Sequence, residues 1–155
     1  MAYFKDLTPY EYFSNEPLTP KPLNIGWLSV EKPFETGATS QKFKDRLLKF
    51  CSDEYILVVT RGLHICEFCN RSHKLSYERW IKKQEGRYGD KAHAASIGNG
   101  EIRVLGKSAI YAAPALIYHY VLEHQYQPPD EFIEAILKRT PNSRRQGELL
   151  RKYSK

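Results

Sequence analysis

Between Ser40 and Cys51 the apolar side chains Phe43, Leu47, Phe50 and Cys51 recur at the helical period, on one face of a segment that Ser40 is placed to cap. Cys51 shares that face and reads as a small buried hydrophobe rather than a nucleophile. Ser76 to Gln84, carrying Trp80 and Ile81, predicts another helix, stopped at Gly86. Pro114 opens a further helix with Ile117, Tyr120, Val121 and His124 on one face, closed by Gln127-Pro128-Pro129. A last strong helix starts at Pro129-Asp130-Glu131, with Phe132, Ile133, Ile136 and Leu137 apolar. Near the N-terminus, Thr8-Pro9-Tyr10-Glu11 has the form of a capping box and predicts a short helix. The proline-rich stretch 15–22 after it predicts an extended connection.

Strand signals lie between these helices. Asn24 to Val30 predicts a strand ended by Lys32-Pro33. Glu54 to Thr60 is β-rich with few polar interruptions, which predicts a strand inside a sheet. Gly98-Asn99-Gly100 between Ala95-Ser96-Ile97 and Glu101–Leu105 predicts a tight hairpin, because Asn-Gly tolerates the positive φ such a turn needs. Lys107 to Tyr111 adds a further strand. Strands lie too close together for crossover helices between all of them. The expected fold is therefore α+β, a single domain over 1–137 with a largely antiparallel sheet packed against helices, followed by a basic C-terminal helix or tail over 138–155.

Composition narrows the class. With 155 residues, 41% of them hydrophobic, the chain is long enough to bury a core without disulfides. No apolar run approaches the ~20 residues of a membrane span, and the first residues lack a secretory pattern, so a soluble cytoplasmic protein is expected. The net charge of +6 sits entirely beyond residue 137, where Lys138, Arg139, Arg144, Arg145, Arg151, Lys152 and Lys155 face one acid, Glu148. Arg144, Arg145, Arg151 and Lys152 are the candidate contacts for nucleic acid, through non-specific phosphate binding. The same residues also suit a solvated helix end, and no nucleic-acid-binding module accompanies them.

Three cysteines and five histidines carry the remaining chemistry. An odd cysteine count without a secretion signal argues against a disulfide framework. Cys66-Glu67-Phe68-Cys69 is a C-x2-C unit, which brings two thiolates to one ion from a tight turn and which zinc sites complete with Cys or His. A redox dithiol or two ordinary thiols are the competing readings, although no βαβ unit accompanies the pair. There is no second C-x2-C, so imidazoles must supply the other ligands. His119 and His124 are the candidates, with His64 as an alternative; His73 is a weaker competitor, and His73 and His93 read as ordinary residues. Five positions on a regular helix subtend about 140° net, so His119 and His124 reach one ion only if the last turn loosens.

Zinc is the expected cofactor. Four protein ligands make a closed structural site, whereas three plus water would open catalysis with Glu67 or Glu123 as general base. The zinc-deaminase pattern fails because no proline precedes Cys66. Ser72-His73-Lys74 is a poor substitute for the histidine pair of a zinc-anchored nuclease. Nucleophile elbows, phosphate loops and dinucleotide fingerprints are absent.

Tyr3-Phe4-x-Asp6-Leu7-Thr8-Pro9-Tyr10, Asn24-Ile25-Gly26-Trp27-Leu28, Arg61-Gly62-x-His64-x-Cys66-Glu67-Phe68-Cys69, Gly100-Glu101-Ile102-Arg103-Val104 and Tyr111-Ala112-Ala113-Pro114-x-Leu116-Ile117-x-His119-Tyr120-Val121 together resemble an uncharacterised family of small bacterial proteins. The likeness covers most of residues 3–137, implies a bacterial cytosolic origin and a peripheral tail, and carries no activity. A non-enzymatic module that binds another protein, with one structural zinc, is the expectation. A zinc-dependent hydrolase or nuclease, and a nucleic-acid binder acting through the tail, are the alternatives.

Overall fold

The computed structural model describes residues 3–11, 21–57, 65–88 and 100–153. Its described elements are strand β1 (Leu23–Asn24), helix α1 (Gln41–Phe50), a 3-10 turn (Asp53–Tyr55), helix α2 (Tyr77–Tyr88), strands β2 (Glu101–Leu105) and β3 (Ile110–Pro114), and helices α3 (Ile117–His124), α4 (Asp130–Lys138) and α5 (Arg144–Tyr153). The sheet has the order β1-β3-β2, with β2 antiparallel and β1 parallel to β3. This is an α+β fold, as the sequence predicts.

α1 forms where its pattern places it. Ser40 Oγ accepts the Phe43 N–H at 3.1 Å, and Phe43, Leu47, Phe50 and Cys51 are all buried. α4 likewise buries Phe132, Ala135 and Ile136. Both helices pack with α3 around one core, to which the sheet contributes Ile102, Val104, Tyr111 and Ala113.

Several expectations are corrected. Thr8–Glu11 is not a helix. Thr8 donates its hydroxyl to Lys5 O at 2.6 Å instead of capping, and the backbone pairs across the chain through Tyr10 N to Pro22 O and Asn24 N to Thr8 O, both 2.8 Å. The ladder over 24–30 is short because Gly26 adopts φ +75° and turns the chain off the sheet. A Cβ there would sit 3.0 Å from Ile117 Cδ1. Asp6 fixes this bend, accepting the Gly26 N–H at 2.9 Å and the Tyr126 hydroxyl at 2.7 Å.

Residues 53–55 form a 3-10 turn rather than a strand, and Leu57 makes a single antiparallel bridge to Glu101; residues 58–60 lie outside the described residues. α2 runs through Gly86, whose position is open to solvent, so the ~1 kcal/mol propensity cost of a helical glycine does not stop it. The predicted Asn-Gly turn and its first arm also lie outside the described residues. Among the described residues β2 pairs with β3 through the turn at Gly106, whose N–H donates to Ala109 O at 2.8 Å. Pro114 ends β3 rather than opening α3.

The basic segment packs on the sheet. Gln146 of α5 is 1% exposed, and it accepts the Leu105 N–H at 2.9 Å and donates to Arg103 O. Its amide thus occupies the hydrogen-bonding edge of β2 as a neighbouring strand would, and Leu149 is buried beside it.

Candidate metal centre

Cys66 and Cys69 sit on a single tight turn. The N–H groups of Cys69 and Asn70 both donate to Cys66 O, at 3.2 and 3.1 Å, which points the two sulfurs the same way. Asn70 closes the loop behind them by accepting the Leu75 N–H on its side-chain oxygen at 2.9 Å. Phe68, between the two cysteines, packs edge-on against Tyr120 and Phe34, with its ring centroid 5.1 Å from that of His124.

α3 brings the imidazoles. Its last turn is widened, with the Gln125 N–H returning to Tyr120 O, five residues back, and Gln125 in the left-handed region at φ +54°. The Tyr126 N–H reaches the same carbonyl at 3.1 Å. The end of the helix is thereby loosened where two histidines five positions apart need it, and their ring centroids stand 5.2 Å apart.

The result is a four-residue cluster. Cys66 Sγ lies 3.3 Å from His124 Nε2, and Cys69 Sγ lies 3.4 Å from His119 Nε2 and 3.5 Å from His124 Nε2. All four ligand atoms fall within 4.8 Å of one another. A tetrahedral ion with metal–sulfur bonds near 2.3 Å and metal–nitrogen bonds near 2.05 Å separates sulfur from nitrogen by roughly 3.5 Å. The residues therefore fit a metal ion. Their donor set is two thiols and two imidazoles, and both rings present Nε2.

Electrostatics favour a thiolate at this point. The hydrogen bond from Cys66, reinforced by those from His119 and His124, holds the Cys69 thiol far below the usual thiol range despite its partial burial. Burial, opposed by a hydrogen bond with the Tyr118 backbone, pushes the Cys51 thiol up to about 12, and Cys51 takes no part in the cluster.

The surroundings close the site on most sides. His119 is fully buried, with the Trp80 ring packed edge-on at 4.8 Å. Arg87 pairs with Glu123 at 3.0 Å and pins α2 to α3. A cavity of about 420 Å³, lined by Cys69, Leu75, Trp80, Lys83, Gln84 and the end of α2, opens beside the exposed Cys69 and gives an ion a route in.

The carboxylates named as potential general bases point elsewhere. Glu67 accepts the Val30 N–H at 3.5 Å, Glu123 is engaged with Arg87, and neither belongs to the cluster. His73 is exposed at φ +56°. His64 and His93 lie outside the described residues. Of the tail residues, Arg144 is exposed and paired with Glu148 at 3.3 Å, and Arg145 and Arg151 face solvent; the Lys152 side chain is outside the described part.

Trp80 and Gln84 escaped the sequence reading. Only the docking of α2 places Trp80 against His119 and Gln84 in the cavity beside Cys69, and no local motif announces that docking. No described helix is long and apolar enough to cross a membrane.

A family model for a domain of unknown function, DUF7919, matches residues 2–137, and the chain belongs to that family. No curated protein and no solved structure matches it.

Proposed function

We propose that this DUF7919 protein is a non-enzymatic, cytoplasmic bacterial protein-binding module whose fold is tied together by one structural zinc ion on Cys66, Cys69, His119 and His124. The observation that carries the zinc reading is the convergence of four neutralisable protein ligands within 4.8 Å. Two thiolates, two imidazoles and tetrahedral spacing are the preferences of zinc, and four protein donors leave no position for a reactive water.

In this role the ion supplies cross-linking, and the chain supplies orientation. The Cys66 turn presents the sulfurs, the widened end of α3 presents both Nε2 atoms, and Trp80 and Phe68 pack against the two rings. The hydrolase reading requires an open coordination position and a nearby carboxylate; Glu67 and Glu123 are both engaged away from the cluster. The binding role draws on the exposed Tyr3, Leu7 and Val30, apolar side chains near a cleft lined by Phe4, Leu28 and Phe34.

Metal analysis of the purified protein tests the zinc reading, with about one zinc per chain expected. Cys66→Ser and His119→Ala should each abolish stoichiometric zinc and the cooperative thermal transition, because the binding energy of a structural zinc is folding energy. Metal-free protein that melts unchanged in both variants would refute it. The tail reading predicts salt-sensitive binding to DNA that disappears in Arg144→Ala/Arg145→Ala/Arg151→Ala. Retained binding in that variant removes the tail from consideration.

A further inference from the structure

His119 has one nitrogen accounted for and one not. Nε2 faces the Cys69 sulfur at 3.4 Å, so an imidazole that uses Nε2 as a metal ligand carries its proton on Nδ1. Nδ1 is buried and has no hydrogen-bond partner. A metal-bound histidine almost always donates its other N–H to an acceptor, which fixes the ring and raises its basicity. A buried donor left unpaired is correspondingly costly.

A matching acceptor lies on α2. Gln84 is 4% exposed, and its Oε1 is buried without a partner. Gln84 stands one helical turn after Trp80, so both side chains occupy the same face of α2, and Trp80 is the residue whose indole packs on His119. Among the described residues, the other unpartnered buried side-chain oxygens are Asn24 Oδ1 and Ser143 Oγ, on β1 and at the start of α5. Asn24 is committed to the N-terminal segment through hydrogen bonds to Thr8 and Pro9 at 3.1 Å. The cavity that Gln84 and Trp80 line gives the amide space to reorient or to hold a bridging water.

We infer that Gln84 is a positioning residue for the metal centre, accepting the Nδ1–H of His119, directly or through one water, and so holding its tautomer and ring orientation. The inference rests on the zinc reading above. It assigns α2 a part in metal affinity although no residue of α2 is a ligand.

Competitive zinc titration against a chromophoric chelator, on wild type, Gln84→Met and Gln84→Glu, tests it. Long-range ¹H–¹⁵N spectra of the imidazoles provide the second readout. Gln84→Met removes the acceptor at similar volume and should weaken zinc binding about 10- to 100-fold. It should also speed solvent exchange of the His119 Nδ1 proton. Gln84→Glu, which can only accept, should restore affinity to within a few-fold of wild type and keep that proton protected. A purely packing role for Gln84 predicts equal losses in both variants and an unchanged proton, and that result overturns the inference. So does wild-type affinity in Gln84→Met. If wild type itself binds no zinc, the zinc reading fails first and takes this one with it.

Discussion

The sulfur of Cys69 lies 3.4 Å from Nε2 of His119, a residue fifty positions further along the chain. One lies on a turn held by its own backbone, the other, buried, in the first turn of a helix. Nothing local connects them, so the contact records how the whole domain assembles, and several measurements follow from it and from the packing around it.

The three cysteines should separate into two chemical classes. Burial pushes Cys51 up to about 12, and in the zinc-bound protein Cys66 and Cys69 are shielded as ligands. Native protein should therefore react slowly with a thiol reagent at pH 8. A strong chelator should make Cys66 and Cys69 reactive at once, and Cys51 only as the metal-free chain unfolds. Immediate reaction of Cys66 and Cys69 without chelator would contradict ligation.

Asp6 should make the protein more stable relative to its neutral variant as the pH falls. Burial raises its carboxyl above the ordinary range, against the pull of the Gly26 N–H and the Tyr126 hydroxyl. A folded-state value above the unfolded one means that folding favours the proton. This contribution is complete below the unfolded value, near about 3.9, and is lost as pH rises through the folded value. Asp6→Asn removes it. In urea unfolding at successively lower pH, starting from neutral, the stability of wild type relative to Asp6→Asn should rise as the pH falls. Metal effects common to both proteins cancel in that difference.

Gln146 should matter far more than a surface glutamine. Its amide satisfies one donor and one acceptor on β2, so Gln146→Ala should cost about 1–3 kcal/mol by leaving buried backbone groups unpaired. Gln146→Glu keeps the acceptor for Leu105 but loses the donor to Arg103 O, and should also destabilise. Denaturant melts at neutral pH check both, and a change below ~0.5 kcal/mol, the ordinary range for surface substitutions, would show that the edge is satisfied otherwise.

Glu101 and Arg103 form a buried ion pair at 3.0 Å, with Tyr10 donating to Glu101 at 2.9 Å and the guanidinium 4.5 Å from the Tyr10 ring. Arg103→Met alone should cost about 3–5 kcal/mol because it strands a buried carboxylate. The double variant with Glu101→Met should recover part of that loss. A double-mutant cycle measures the coupling, and additive losses would refute a direct pairing.

The fold class, the Ser40 cap, the inward faces of α1 and α4 and the buried state of Cys51 were legible because each depends on local periodicity. Thr8 to Glu11 misled because the same hydroxyl that can cap a helix can also close a turn, and pairing with 22–24 decided between them. The strand after Asn24 stops early because Asp6, twenty residues back, holds Gly26 at positive φ. At the candidate metal centre the residue types and the need for a loosened helix end could be read from spacing. The neighbours around the rings could not, since Trp80 meets His119 and Gln84 enters the cavity beside Cys69 only through tertiary docking.

Joining position 69 to position 119 closes a long loop, whose entropy in the open chain is about 3.5 kcal/mol plus a constant by the logarithmic rule. A disulfide would make such a link respond to oxidants. A chelated ion makes it respond instead to the supply of free metal: while free zinc stays above its dissociation constant, each tenfold fall removes about 1.4 kcal/mol from the folded state. Under the zinc reading, the lifetime of this protein in a starved cell is therefore set by metal homeostasis, and scarcity alone is enough to send it to the proteases.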